Sequence, residues 1–183
     1  MLSESDKKYL LSVARKSIIN AVNGKPREII ENPPPALSKP SGAFVTLHKK
    51  GELRGCIGYI EAIGSLLETV QDAAEKAALE DYRFNPVGPE EISEIEIEIS
   101  VLTPKKTVSN IEEIEVGKHG IIIQHGYNRG LLLPQVAVEH GWDRETFLNQ
   151  TARKAGLPSG AWKDPETKIF TFSAEIFSEK QNI

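Results

Sequence analysis

The chain has 183 residues, with 22 Lys and Arg against 26 Asp and Glu, a formal charge of −4, and one cysteine. A single cysteine excludes an intrachain disulfide framework and a zinc site of several thiolates, and it fits a reducing compartment such as the cytoplasm. The mild acidity argues against a protein that coats nucleic acid, which needs a basic face.

Length alone gives about 1.2 domains, so one domain or one domain with a lobe is expected. A chain of this size buries roughly 70% of its unfolded surface and needs no disulfide or metal to hold it. The opening Met1–Lys8 is polar and lacks the apolar core of a signal peptide. Apolar stretches such as 130–138 fall far short of the ~20 residues that span a bilayer, so no membrane association is expected.

Tyr9, Leu10, Val13, Ala14, Ser17, Ile18 and Ala21 recur at helical spacing and predict an amphipathic helix over 5–21, stopped by Gly24 and Pro26. Residues 32–42, with four prolines, read as a rigid extended connection. Residues 43–60 read as a hairpin: Ala43–His48 up, Lys49–Glu52 as the turn, Leu53–Ile60 back. Ser65 and Glu68 form a capping box, followed by an apolar stripe of Leu66, Leu67, Val70, Ala73, Ala74, Ala77 and Ala78. Small alanines on that stripe point to close packing on a sheet or another helix. Ile95, Ile97, Ile99 and Val101 alternate with Glu94, Glu96, Glu98 and Ser100, the pattern of a strand with one buried face.

After Pro104, Ile121–Ile123 and Leu131–Leu133 flank the turn 125–130 and predict a second hairpin. Pro134 fits a helix start, and Asp143 caps a helix carrying Phe147, Leu148, Thr151, Ala152 and Ala155 on one face. In residues 169–177, Phe170, Phe172, Ala174 and Ile176 alternate with Thr171, Ser173 and Glu175. This reads as one strand that joins the first sheet. The expected architecture is α+β with two unequal lobes, the larger 1–104 plus 166–183 and the smaller, inserted, 105–165. Two lobes joined by two connections would leave a cleft suited to a ligand.

Two stretches could carry chemistry. In Leu53-Arg54-Gly55-Cys56-Ile57-Gly58, regular alternation would place Arg54, Cys56 and Gly58 on one face. Two glycines in a short strand mark a bulge or a close approach. An adjacent Arg can lower a thiol pKa, whereas a lone strand cysteine is also a common buried hydrophobe. In Asp81-Tyr82-Arg83-Phe84-Asn85-Pro86, Arg83 could fork onto a carboxylate, or tie down its own loop through Asp81. The histidines have no recognised metal-ligand spacing, and the phosphate-binding and nucleophile-elbow motifs are absent, so no cofactor or metal is expected. Lys49-Lys50 and Lys105-Lys106 read as solvated turn residues. Trp142 and Trp162 read as core of the smaller lobe.

These residues resemble the AMMECR family. The hexapeptide 53–58 matches the family signature at all six positions. Asp81, Arg83, Phe84 and Pro86 fit its D-x-R-F-x-P block, and Val116 to Ile121 its V-G-x-H-G-I block. Leu133 to Ala137 with Gly141-Trp142 fits its L-P-x-V-A…G-W block. The resemblance runs from about residue 9 to the end. It implies two unequal α+β subdomains, each with an antiparallel sheet, and the hexapeptide facing the cleft. It names no reaction. Association of prokaryotic members with Memo-like and radical-SAM proteins implies a shared modification pathway. Many relatives carry a second Cys where this chain has Thr151-Ala152, which argues here against two-cysteine redox chemistry.

Two functional expectations follow. The first is a Cys-dependent enzyme acting on a protein or other sizeable substrate. Cys56 would be its nucleophile, Arg54 would lower the thiol pKa, His119 would be the general base, and amides around Gly55 and Gly58 would cradle an anion. The second is a non-catalytic module that recognises a protein or peptide, with Arg54 and Arg83 holding a carboxylate. Gly55, Gly58, Arg83 and Gln135 are the expected substrate-binding residues. Nucleic-acid binding is not expected, and the oligomeric state is left open.

Overall fold

The computed structural model describes residues 2–182. Its described residues cluster into two compact units. One runs up to Leu102 and resumes at Glu175; the other is Thr103–Ala174. No helix among the described residues is long and apolar enough to cross a membrane.

The first unit begins with α1 (Glu4–Val22). The Ser3 hydroxyl accepts the Asp6 amide and the Asp6 carboxylate accepts the Ser3 amide, a capping box that fixes the helix start. β1 (Ala43–Lys49) and β2 (Glu52–Tyr59) form the expected hairpin across Lys50-Gly51, both at positive φ (54° and 85°), as a tight two-residue hairpin turn requires. α2 (Leu66–Leu79) starts at the Ser65–Glu68 capping box. β3 (Ile95–Leu102) pairs antiparallel with β1, and the sheet order is β2-β1-β3-β8, with β8 at Ala174–Ser178.

One face of this sheet is buried beneath the helices. Ala43, Val45 and Leu47 of β1 and Ile95, Ile97 and Ile99 of β3 share a core with Leu10, Ala14 and Ile18 of α1 and Val70, Ala73, Ala74 and Ala77 of α2. The alternating residues Phe44, Thr46, His48, Glu96 and Glu98 take the opposite face and stay partly exposed. The alanine stripe has a concrete reason. A Cβ on Gly55 would stand 2.2 Å from the Ala77 carbonyl oxygen, so α2 lies against β2 with no room for a side chain. The proline-rich connection is less extended than its composition indicates. Residues 35–38 turn, the Leu37 amide donates to the Pro34 carbonyl, and Leu37 is fully buried in the core.

The second unit holds β4 (Lys106–Thr107), β5 (Gly120–His125), β6 (Asn128–Leu132) and β7 (Lys168–Phe172) in the order β4-β7-β5-β6. α3 (Pro134–Glu139) and α4 (Arg144–Lys154) follow the hairpin. Its core joins Ile121, Ile123 and Ile169 to Phe147, Leu148, Ala152 and Trp162, with Trp142 packed at the margin. Trp162 Nε1 donates to Asn149 Oδ1 at 2.8 Å, which satisfies the indole as it is buried.

The single last strand expected over 169–177 is two strands. β7 belongs to the second sheet and β8 to the first. The break is at Ser173. Its carbonyl accepts the Thr103 amide and its amide donates to Thr103 Oγ1, both at 2.8 Å. Ile169 enters the core of the second unit and Phe177 that of the first, while Ile176 is 40% exposed. A period-two pattern in the sequence reads through such a break because the inward positions 169 and 177 keep the same parity on either side of it.

Candidate functional site around the hexapeptide strand

The hexapeptide lies on β2, at the edge of the first sheet. The β1–β2 register slips between Leu47 and His48: Leu47 pairs with Gly55, His48 pairs with Leu53, and Arg54 has no partner. This bulge leaves Arg54 as the extra residue of the strand. Cys56 lies opposite Thr46, and Thr46 in turn lies opposite Glu98 on β3, so one row across the sheet reads Cys56, Thr46, Glu98.

Two carboxylates fix this region. Asp81 accepts from the Cys56 amide (2.9 Å), the Arg83 amide (3.2 Å), Arg83 Nε (2.9 Å) and Arg83 Nη2 (2.7 Å). Glu91, in the short 3₁₀ turn Pro89–Glu94, accepts from Arg54 Nε (3.1 Å) and Nη2 (2.9 Å), Lys49 Nζ and the Gly88 amide. Both arginines therefore already fork onto internal carboxylates. Their guanidiniums also both approach the Phe84 ring, Arg54 at 5.9 Å and Arg83 at 5.5 Å from its centroid. Two polar atoms named by the sequence reading are buried without a hydrogen-bond partner among the described residues: Arg54 Nη1 and Gln135 Oε1.

Burial pushes the Cys56 pKa up; the hydrogen bond with Thr46 Oγ1 (3.3 Å) and the Arg83 charge pull it down, and Asp81 and Glu98 push it up again. The net direction is upward, so Cys56 is a neutral thiol at pH 7. The cation expected to lower it was Arg54, but that guanidinium is held by Glu91, and Arg83 is the arginine whose charge acts on the sulfur. Asp81 is held well below the usual carboxylate range by the Arg83 guanidinium, and Glu91 is held at about 2 by Arg54 and the Gly88 amide.

The glycines are explained by packing. Gly55 makes room for the Ala77 carbonyl, and a Cβ on Gly58 would stand 2.3 Å from Phe44 Cγ. The structure thus gathers Arg54, Gly55, Cys56, Gly58 and Arg83 in the first unit. His119 and Gln135 belong to the second. There His119 closes a turn: its Nδ1 accepts the Glu115 amide at 3.1 Å and its own amide donates to the Glu115 carbonyl. With Nδ1 occupied as an acceptor, the neutral imidazole carries its proton on Nε2 and presents a donor there. Thr151 and Ala152 are fully buried in the second unit, with Thr151 Oγ1 bonded to the Phe147 carbonyl.

The sequence reading missed Thr46, Glu91 and Glu98. Glu91 is 37 residues from Arg54 and separated from it by a helix, so no local pattern connects them. Thr46 was nearly within reach. Counting back from the Lys50-Gly51 turn pairs it with Gly55, and only the bulge moves it to Cys56. No group of three or more His, Cys, Asp or Glu among the described residues is arranged to hold a metal ion.

The family model described as AMMECR1 matches residues 11–177. A protein of Thermococcus gammatolerans is 47% identical over 94% of this chain and 89% of its own length. A protein of Methanothermobacter thermautotrophicus is 45% identical over 97% of this chain and 96% of its own. Among solved structures, the crystal structure of the uncharacterized protein PH0010 from Pyrococcus horikoshii superposes with a TM-score of 0.89 at 40% identity, covering 98% of this chain and 94% of that one.

Proposed function

The chain belongs to the AMMECR1 family, and from that premise we propose that it is a non-catalytic recognition module for a protein or peptide, with its contact surface around β2 and the Asp81–Pro86 segment. One observation carries this reading. Arg54 Nη1 is a buried donor with no partner, while the rest of the Arg54 guanidinium and that of Arg83 are held by Glu91 and Asp81. A buried, unmatched N–H costs about 1–3 kcal/mol, so a partner whose docking opens a path to it and supplies a carbonyl or carboxylate gains that much. Tyr82, 95% exposed, lies between Asp81 and Arg83 on a loop whose base is fixed by Asp81. Exposed Tyr flanked by Arg is the usual composition of a contact hot spot. The raised pKa of Cys56 speaks against the enzyme reading, because the thiolate is the nucleophile.

Proteins of the modification pathway implied by the resemblance, Memo-like and radical-SAM proteins, are the partner class to offer first. The test is a pull-down with tagged protein and three variants. Arg54→Lys keeps a cation for Glu91 but removes Nη1, and it should lose the partners, as should Tyr82→Ala. Cys56→Ser should recover the same partners as the parent. Alkylation of native Cys56 should stay slow at pH 7 and accelerate only above the ordinary thiol range. A thiol that alkylates as a thiolate at neutral pH, with Cys56→Ser losing the partners, would overturn this reading in favour of the enzyme.

A further inference from the structure

The second unit contains a cavity of about 250 Å3 lined by seven residues, none of them acidic. That volume is below the usual ~300–1,000 Å3 of drug-sized sites, so it suits a small group. Five of its side chains carry donors, the hydroxyls of Thr171 and Ser173 among them, and three matter most here. His119 presents Nε2–H, because Nδ1 already accepts the Glu115 amide. Thr103 Oγ1 accepts the Ser173 amide, which leaves the hydroxyl hydrogen to give. Lys106 has no carboxylate partner among the described residues. Pro104 and Phe172 supply apolar walls, and the Phe172 ring is seated because Gly120 has no Cβ: one placed there would stand 2.2 Å from Phe172 Cζ.

We propose that this cavity is a binding site for a carboxylate carried on a short apolar stem, as in an acidic side chain or a small organic acid. A lysine, a histidine and a threonine line a space with no acidic residue on its wall, in a chain whose overall charge is −4. Such a lining attracts a negative group and would repel the chain's own cations. The apolar walls match the methylene stem rather than the fully hydrated shell of an inorganic anion. This site lies wholly within Thr103–Ala174 and does not depend on the recognition surface of the first unit.

The test is an NMR titration of the full chain with sodium propionate, and separately with inorganic phosphate at equal ionic strength. Propionate should shift the His119 ring and the Lys106 amide saturably, with the free protein showing the Nε2–H tautomer. His119→Asn retains an acceptor for the Glu115 amide but loses the Nε2 donor, and it should bind propionate roughly tenfold more weakly. Lys106→Met should weaken binding to a similar degree, and both variants should melt close to the parent. The proposal fails if propionate produces no saturable shift, or if phosphate binds as tightly as propionate. It fails equally if both variants bind like the parent. Arg54→Lys, which tests the first unit's surface, should leave this titration unchanged.

Discussion

Asp81 accepts four hydrogen bonds with its side chain only 3% exposed, and it joins the amide of Cys56 to the guanidinium of Arg83. Asp81→Ala leaves the Cys56 amide without an acceptor and Arg83 without its partner. We expect a loss of about 2–3 kcal/mol in urea unfolding, more than for any substitution of Cys56 itself. Glu91 plays the matching part for Arg54 and Lys49. Both carboxyls are held below their usual range, whereas in the unfolded chain they titrate near pH 4. Each binds protons more weakly when folded. The stability it supplies is therefore whole above about pH 4 and is lost as pH falls towards the folded value, about 2 for Glu91. Glu91→Gln should lower stability at pH 7 and flatten the acid limb of the stability–pH curve. An acid limb parallel to the parent's would show that Glu91 titrates normally.

The elements were largely legible because their signals are local. One capping box, at Ser65–Glu68, the turn around Lys50-Gly51 and the Ile/Glu alternation of β3 each fix an element from within a few residues. The failures are non-local. The β2 bulge at Arg54 depends on β1, and the split at Ser173 depends on Thr103, so neither leaves a mark in its own window. The same distinction separates two glycine contacts. Gly55 faces a backbone oxygen of α2, and Gly120 faces the Phe172 ring. Gly55→Ala forces α2 off the sheet and should cost about 3 kcal/mol, with no side-chain change able to relieve it. Gly120→Ala should destabilise comparably, and Phe172→Leu in the same chain should recover part of the loss. A double-mutant cycle for Gly120 and Phe172 with no coupling would contradict this.

At the level of the whole chain, β3 and β8 are neighbours in one sheet, and the second unit is inserted between their ends. The Thr103–Ser173 pair closes that insertion at its base. Replacing Thr103–Ala174 with Asn-Gly should convert β3 and β8 into an ordinary hairpin and leave the first unit folded. Cooperative melting and dispersed amide signals would confirm it; a chain without either would show that the first unit needs the second. The site was less legible than the fold for a related reason. Its recognisable residues lie in the hexapeptide, but the groups that set their chemistry, Asp81 and Glu91, arrive from other elements. The insertion has a mechanical consequence as well. If the molecule is pulled by its two ends, the load passes through α1 and β8 of the first unit. The inserted residues carry no tension until β3 and β8 part; the load then falls on the Thr103–Ser173 pair, and the second unit lengthens only when its own core gives way.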